Sequence, residues 1–371
     1  MTQPDAQNDA DNSAENATDA TIMIRCCELA AQAAGCTAPN PLVGSVIMQG
    51  EKTVGEGFHP KAGEPHAEIF ALRAAGNRAQ NAELYVNLEP CNHTGKTPPC
   101  SSAIIQAGIR RVVIGMKDPN PEASGGIQTL RAAGIEVKVG VEGDRCRQLN
   151  EAFIYRVTQH APFGILKYAM TLDGKIATNT GHSAWVSGPS SRQRVHQLRS
   201  QSDAVIVGGN TVRQDNPSLT SHGQGKRNPL RVVMSRQLNL PAVANLWDTS
   251  AAPTVIFTEA DINTAVGKAL QQQGVEIVSV STLRPAAVMK NLYERGLMSV
   301  LWECGGTLAA AAIADASVQK VWAFIAPKLI GGKAAPSPIG ELGLVKMTEA
   351  KALKHVSVTP VGEDFLLRGY L

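Results

Sequence analysis

The sequence predicts an α/β protein built from two different domains. Three observations carry this: a first run of alternating strand and helix patterns, a break near residue 160, and a second alternating run to the C-terminus. The length of 371 residues fits two or three domains of roughly 100–200 residues each. Apolar residues at helical spacing (Ile22, Cys26, Leu29, Ala30, Ala33) predict a helix over 22–35 stopped by Gly35. Strand patterns follow at 43–48, 84–88, 111–115 and 136–141. Between them fall helical patterns at 64–75, with Pro65 in the first turn, at 100–107 and up to Gly134. Residues 149–160 read as a linker, and Pro162 marks a seam. Strands are then expected at 164–170, 204–208, 230–234, 254–258, 276–280, 300–303, 321–326 and within 356–370, with helices at 190–201, 260–273 and 307–314. The chain is thus read as a tail over 1–21, a first domain over 22–160 and a second over 161–371.

Composition narrows the function. Hydrophobic residues make up 43% and charged residues 18%, a globular balance. The apolar stretch from Cys304 to Ala314 is far shorter than the ~20 residues of a membrane-spanning helix, so no membrane association is expected. Net charge is +3 and aromatics are 4%, which argues against nucleic acid as a partner. The first 21 residues hold five acids (Asp5, Asp9, Asp11, Glu15, Asp19) and no Lys or Arg. Removing those five charges from +3 leaves +8 on the remainder, an excess suited to anionic small molecules. The tail has no secretory pattern and is expected to be disordered. Seven cysteines without a leader point to a reducing, cytoplasmic setting.

The sharpest chemical signal is Pro65-His66-Ala67-Glu68 followed by Pro90-Cys91 and, after eight intervening residues, Cys100. His66 and Glu68 open one expected helix and Cys100 another, and a helix N-terminus favours a thiolate. One imidazole and two thiolates neutralise Zn²⁺ and leave a fourth position open, as in catalytic rather than structural zinc sites. Glu68, a carboxylate outside the ligand set, then serves as the proton shuttle. The pattern resembles the zinc-deaminase signature H-x-E…P-C-x-x-C, with a longer interval between the cysteines.

That longer interval has its own resemblance. Pro39-Asn40-Pro41-Leu42-Val43-Gly44, Gly57-Phe58-His59, the stretch Asn87–Cys100 with Gly95-Lys96-Thr97-Pro98-Pro99, and Asp118-Pro119-Asn120-Pro121 are similar to the pyrimidine deaminase domain of bifunctional riboflavin-biosynthesis deaminase–reductases. The resemblance implies a cytidine-deaminase-like α/β/α layer fold. It implies that Asn40, His59, Asp118 and Asn120 line the pyrimidine and ribose pocket, with His93 and Lys96 near the substrate phosphate. Read from the residues alone, Asn40 and Asp118-Pro-Asn-Pro are also turn chemistry.

In the second half, Glu303-Cys304-Gly305-Gly306-Thr307 joins an apolar strand to an Ala-rich helix, an arrangement that brings backbone N–H groups to a phosphate or simply packs a helix closely on a strand. Lys167-Tyr168-Ala169-Met170-Thr171-Leu172-Asp173-Gly174-Lys175, Ser183-Ala184-Trp185, Arg199, and Gly208–Pro217 resemble the reductase domain of the same family, which has a dihydrofolate-reductase-like α/β fold. The resemblance implies NADPH contacts from Met170, Trp185, Thr211, Asp215, Ser235 and the turn Gly305, Gly306, Thr307, Leu308, Ala309, Ala310, Ala311. It implies substrate contacts from Lys167, Ser183, Arg199, Leu219 and Glu303, with Asp215 organising proton transfer. Two positions depart from the family. His222 stands where an Arg usually clamps phosphate, with Lys226 and Arg227 as nearby substitutes. Met234 stands where an acid is frequent, and Ser235-Arg236 after it favours NADPH over NADH.

The expectation is therefore a homo-oligomeric, cytoplasmic enzyme that uses Zn²⁺ and NADPH on small phosphoribosyl pyrimidines. A nucleoside or nucleic-acid deaminase and a non-catalytic zinc protein are the alternatives. The long cysteine interval and few aromatics oppose the first, and Glu68 opposes the second.

Overall fold

The computed structural model describes residues 6–93 and 98–371, with side chains described from residue 16 onward. The chain forms two compact units, Met1–His160 and Ala161–Leu371. No described helix is long and apolar enough to cross a membrane.

The first unit runs α1 (Ala6–Ala31), β1 (Gly44–Gln49), β2 (Lys52–Phe58), α2 (Ala67–Ala75), β3 (Glu83–Leu88), α3 (Cys100–Gln106), β4 (Arg111–Met116), α4 (Gly126–Ala132), β5 (Glu136–Val139), α5 (Gly143–Leu149) and α6 (Glu151–Gln159). Its five strands lie in the order β2-β1-β3-β4-β5. β1 is antiparallel to β2 and β3, while β3, β4 and β5 are parallel. Successive side chains of a strand point to opposite faces. Leu84, Val86, Val112 and Ile114 therefore pack under α2, α3 and α4, and Val46, Tyr85 and Val113 pack under α1 and α5. Glycine permits the closest approaches. A Cβ on Gly44 would lie 2.1 Å from the Cys26 carbonyl of α1, and one on Gly57 would lie 2.7 Å from the Ala67 carbonyl of α2. The second contact seats the first turn of α2 against β2.

Two expectations are corrected here. The acidic tail is helical from Ala6 onward, its first five residues lying outside the described ones. The reason is Asp19, which is 1% exposed. It accepts hydrogen bonds from Arg111 Nη2 at 2.8 Å, Lys138 Nζ at 2.6 Å and the Tyr85 hydroxyl at 2.8 Å. The residues read as a linker form α6, because Phe153 is buried and Ile154 packs into the core with Cys27 and Met116.

The second unit runs β6 (Phe163–Thr171), α7 (Pro189–Gln201), β7 (Ala204–Gly208), α8 (Gly209–Asp215), β8 (Leu230–Met234), β9 (Thr254–Thr258), α9 (Ala265–Gln272), β10 (Glu276–Ser279), α10 (Pro285–Glu294), β11 (Ser299–Trp302), α11 (Gly306–Ala314), β12 (Lys320–Ala326), β13 (Lys354–Val361) and β14 (Asp364–Tyr370). Its nine strands follow the order β10-β9-β8-β7-β11-β6-β12-β14-β13. They are parallel from β10 to β12 and antiparallel through β14 and β13. The last expected strand is thus a hairpin. β11 enters between β7 and β6, and such a change of strand order opens a crevice at the C-terminal ends of the strands.

Burial would raise the Asp19 carboxyl, but its bonds to Arg111, Lys138 and Tyr85 outweigh it and hold the group below the usual range. Removing one partner of a buried ion pair costs about 3–5 kcal/mol. An Asp19→Asn variant is expected to lose stability on that scale in urea denaturation at neutral pH. The deficit should shrink as pH falls below the ordinary Asp range, where the unmodified chain loses the same charge.

Candidate functional site

The first unit gathers its chemistry beyond the ends of β3 and β4. His66 is the residue before α2, with extended backbone (φ −73°, ψ 162°), and Cys100 begins α3. Helix α2 starts later than its sequence pattern suggests, which leaves the His66 ring free of the helix. The His66, Cys91 and Cys100 ligand atoms lie within 4.8 Å of one another. His66 Nδ1 stands 3.2 Å from Cys100 Sγ and 3.5 Å from Cys91 Sγ. The Cys100 backbone N–H donates to Cys91 Sγ at 3.4 Å. With Cys100 and His66 as donors, the Cys91 thiol is drawn down to about 4, and the Cys100 thiol rises in turn. One imidazole and two sulfurs at this spacing fit Zn²⁺.

Glu68 lies in the first turn of α2 and is 3% exposed. Its Oε2 has no hydrogen-bond partner, and burial, opposed by His66, pushes the carboxyl up to about 7. An unpaired buried carboxylate oxygen beside a three-ligand set is what a proton-carrying group needs.

The remaining expected residues of this unit divide. His59 is 2% exposed; its Nδ1 faces the Pro65 carbonyl at 3.0 Å and its Nε2 the Asn40 amide at 3.1 Å. Burial holds this imidazole below its ordinary range. Its tautomer is thereby assigned: Nδ1 donates, Nε2 accepts, and the Asn40 oxygen is left facing away. Burial raises the Asp118 carboxyl to about 6, and its Oδ1 accepts the Asn120 N–H at 2.8 Å. His93 is exposed, and Lys96 lies outside the described residues. Sequence reasoning passed over Glu89, which is 5% exposed. It accepts backbone N–H groups of Asp118, Gly125 and Ile127 at 3.0–3.1 Å and so ties the Asp118 loop to the segment that carries Cys91. Its signal was a carboxylate two residues before the first cysteine.

The second unit holds a cavity of about 580 Å³ at the C-terminal ends of β6, β7 and β11. Of the expected residues, Lys167, Ser183, Trp185, Arg199, Thr211, Asp215, Leu219, Glu303 and Gly305 line it, as does His222. At its centre Glu303 accepts from Arg199 Nε at 2.6 Å, Arg199 Nη2 at 3.1 Å and Lys167 Nζ at 3.4 Å. Burial alone would raise the Glu303 carboxyl; the two cations draw it down to about 2. Asp215 sits at the exposed rim, and the desolvation it feels raises its carboxyl. A Cβ added at Gly305 would meet nothing within 4 Å, so a ligand has open room at the start of α11. This shape, with its few convergent polar groups, fits a dinucleotide end and a small substrate.

Several expected contacts lie elsewhere. Met170, Ser235 and residues 306–311 are not among the cavity walls. Ala309 and Ala310 are buried against the sheet, and Gly306 is covered by Gly340, whose N–H donates to the Gly306 carbonyl at 2.9 Å. Ser235 is buried, its hydroxyl 3.0 Å from where a Cβ on Gly209 would stand. Arg227 is taken by Asp203 Oδ1 at 2.6 Å and the Ser202 carbonyl. It is therefore no substitute for the Arg that His222 replaces. His196, on α7 one turn before Arg199, lines the cavity and was missed. The i, i+3 spacing of His196 and Arg199 was its signal.

Two outcomes are expected. Elemental analysis of the purified chain should find about one zinc per chain, lost in a Cys91→Ser/Cys100→Ser double variant. Because the Glu303 carboxyl lies below its ordinary range, its charge stabilises the fold above the usual Glu range and that contribution fades as pH falls toward 2. The stability gap between the chain and a Glu303→Gln variant should therefore be full at pH 6 and smaller at pH 3 in urea titrations.

Comparison with known proteins covers both units. Residues 17–116 match the cytidine and deoxycytidylate deaminase zinc-binding region, and residues 162–367 match the RibD C-terminal domain. The riboflavin biosynthesis protein RibD of Synechocystis is 60% identical over 95% of this chain and 96% of its own. That of Aquifex aeolicus is 40% identical over 94% and 97%. The crystal structure of a diaminohydroxyphosphoribosylaminopyrimidine deaminase/5-amino-6-(5-phosphoribosylamino)uracil reductase from Thermotoga maritima superposes with a TM-score of 0.87 at 36% identity, covering 96% of this chain and 99% of that one. With a triad in one unit that could hold a metal ion and a cavity in the other, the family matches and the relatives aligned across both units show that the chain belongs to the family of bifunctional riboflavin-biosynthesis deaminase–reductases.

Proposed function

We propose that the first unit removes the amine from 2,5-diamino-6-ribosylamino-4(3H)-pyrimidinone 5′-phosphate as ammonia and that the second reduces the resulting 5-amino-6-(5-phosphoribosylamino)uracil with NADPH. The observation that carries the reading is Glu68 Oε2, buried and unpaired beside His66, Cys91 and Cys100. A zinc ion held by those three side chains supplies Lewis-acid activation of water near neutral pH. Glu68 Oε2 takes the proton of the attacking water and passes it to the departing amine. The His59 ring fixes the Asn40 amide, whose free oxygen accepts from the pyrimidine, and Asp118 and Asn120 hold the ribose.

In the second unit NADPH supplies the hydride for C1′ of the opened ribose. The Lys167–Glu303–Arg199 array orients the sugar, and Asp215 holds the proton at the cavity rim. The free thiols of the described cysteines suit a reducing compartment. The same reading takes the enzyme as cytoplasmic and built of like subunits.

Separable activities test the assignment. Glu68→Gln keeps the ligand set and removes the shuttle, so ammonia release should fall by about 10²-fold or more. Reduction of supplied aminouracil phosphate by NADPH should persist in that variant. Asp215→Asn should do the reverse and let the deaminated intermediate accumulate, as read by mass spectrometry. Loss of both activities in a folded, zinc-loaded Glu68→Gln chain would replace two sites with one.

A further inference from the structure

Outside the metal site, the first unit holds a second pair of thiols in contact. Cys27 of α1 and Cys146 of α5 bring their sulfurs to 3.6 Å. Neither belongs to the His66, Cys91 and Cys100 set. Both lie in the core on the α1 face of the sheet, with Met23, Val113 and Met116. Gly115 of β4 makes the room, since a Cβ there would lie 2.3 Å from the Cys146 sulfur. The two thiols are not equivalent. Cys27 is 7% exposed and Cys146 fully buried, so Cys27 is the one that meets a solute. The Cys146 thiol beside it draws the Cys27 thiol below its ordinary range, with burial opposing and Arg145 assisting, and Cys146 rises in turn. An accessible thiol of lowered pKa with a second thiol in reach is how reversibly oxidised cysteines are built.

The pair also brackets a segment of the deaminase site. Helix α1 runs on through residues 32–39 to Asn40. Helix α5 ends at Leu149, and the next residue, Asn150, accepts the Leu42 N–H at 2.8 Å and donates to the Leu42 carbonyl at 3.0 Å. The Asn40 segment is thus tied to α1 by the chain and to the end of α5 by the Asn150 amide.

We propose that Cys27 and Cys146 form a reversible oxidation site, in which hydrogen peroxide joins α1 to α5 by a disulfide and thereby weakens substrate binding in the first unit. The effect on binding rests on the function proposed above. The Cys27 thiolate attacks one peroxide oxygen; an S–O bond forms, the O–O bond breaks, and the departing hydroxide takes a proton to become water. The Cys146 sulfur then attacks the Cys27 sulfenic acid; the S–S bond forms, the S–O bond breaks, and a second water leaves with the Cys146 proton. Two thiols are oxidised by two electrons in all, and one peroxide is reduced to two waters. The sulfurs must close from 3.6 Å to about 2.05 Å, which shifts α1 against α5 and the Asn40 segment with them. In a reducing setting such a bond is transient.

Peroxide treatment of the zinc-loaded full chain, followed by peptide mapping without reductant, should join the peptides that carry Cys27 and Cys146. Dithiothreitol should separate them. In Cys146→Ser the reaction should stop at a Cys27 sulfenic acid that dimedone captures, whereas Cys27→Ser should leave Cys146 unlabelled. The oxidised chain should show a several-fold higher KM for deamination, with zinc content and aminouracil reduction unchanged, and peroxide should leave the KM of Cys27→Ser where it was. Cys27 and Cys146 recovered as separate thiols, or dimedone captured at Cys146 in Cys27→Ser, would overturn the site. A KM rise that persists in Cys27→Ser would overturn its link to substrate binding. A chain that forms the bond but never deaminates the diaminopyrimidine would sink the functional reading and keep the oxidation site.

Discussion

A buried carboxylate must be answered by donors, and both chemical centres are organised by that requirement. Glu303 is answered by Arg199 and Lys167, from α7 and β6, so two elements distant in sequence are drawn to one point. Glu89 is answered by three backbone N–H groups, which lock the loop after β4 against the cysteine segment. Glu68 is the exception: its buried Oε2 has no hydrogen-bond partner. The same rule brings α1 into the fold, because Asp19 answers Arg111.

The parts of the fold that were legible from sequence are those set by local pattern. β8 and β9 match their apolar runs residue for residue, because both are central strands covered on each side. The metal ligands were legible because a histidine and two cysteines at that spacing have few other uses. What escaped depends on contacts remote in sequence. Asp19 looked like tail because its partners lie in β4 and β5, and an isolated acidic stretch carries no trace of them. Helix α9 begins at Ala265 rather than at 260, since Asn263 donates its N–H to Asp261 and Thr264 caps the helix with its hydroxyl. Of the turn Gly305–Ala311, only Gly305 lines the cavity, while Ala309 and Ala310 are buried, a difference that the sequence pattern of the turn does not carry.

The cavity also shows how one residue serves two purposes. Arg199 neutralises Glu303 and, through the Thr220 carbonyl, holds the loop that carries His222. Charge compensation at the centre and loop position at the wall therefore rest on one guanidinium, whose planar fork can satisfy both at once. A lysine there keeps the charge and loses the geometry.

The strand order of the second unit has a consequence for the birth of the chain. β6, its first strand, lies between β11 and β12, pairing Phe163 with Ser299 and Ile165 with Lys320. Contacts this remote are slow to form, and a domain cannot close its central sheet before the partner strands exist. On a ribosome that emits the chain from its N-terminus, the first unit can complete its sheet while β6 still waits for both neighbours. For most of that interval an apolar strand stands with two open edges, the condition in which a nascent chain is most exposed to mispairing. The order of the two units along the gene thus gives the early-closing sheet a head start over the one that must wait for almost the last residue.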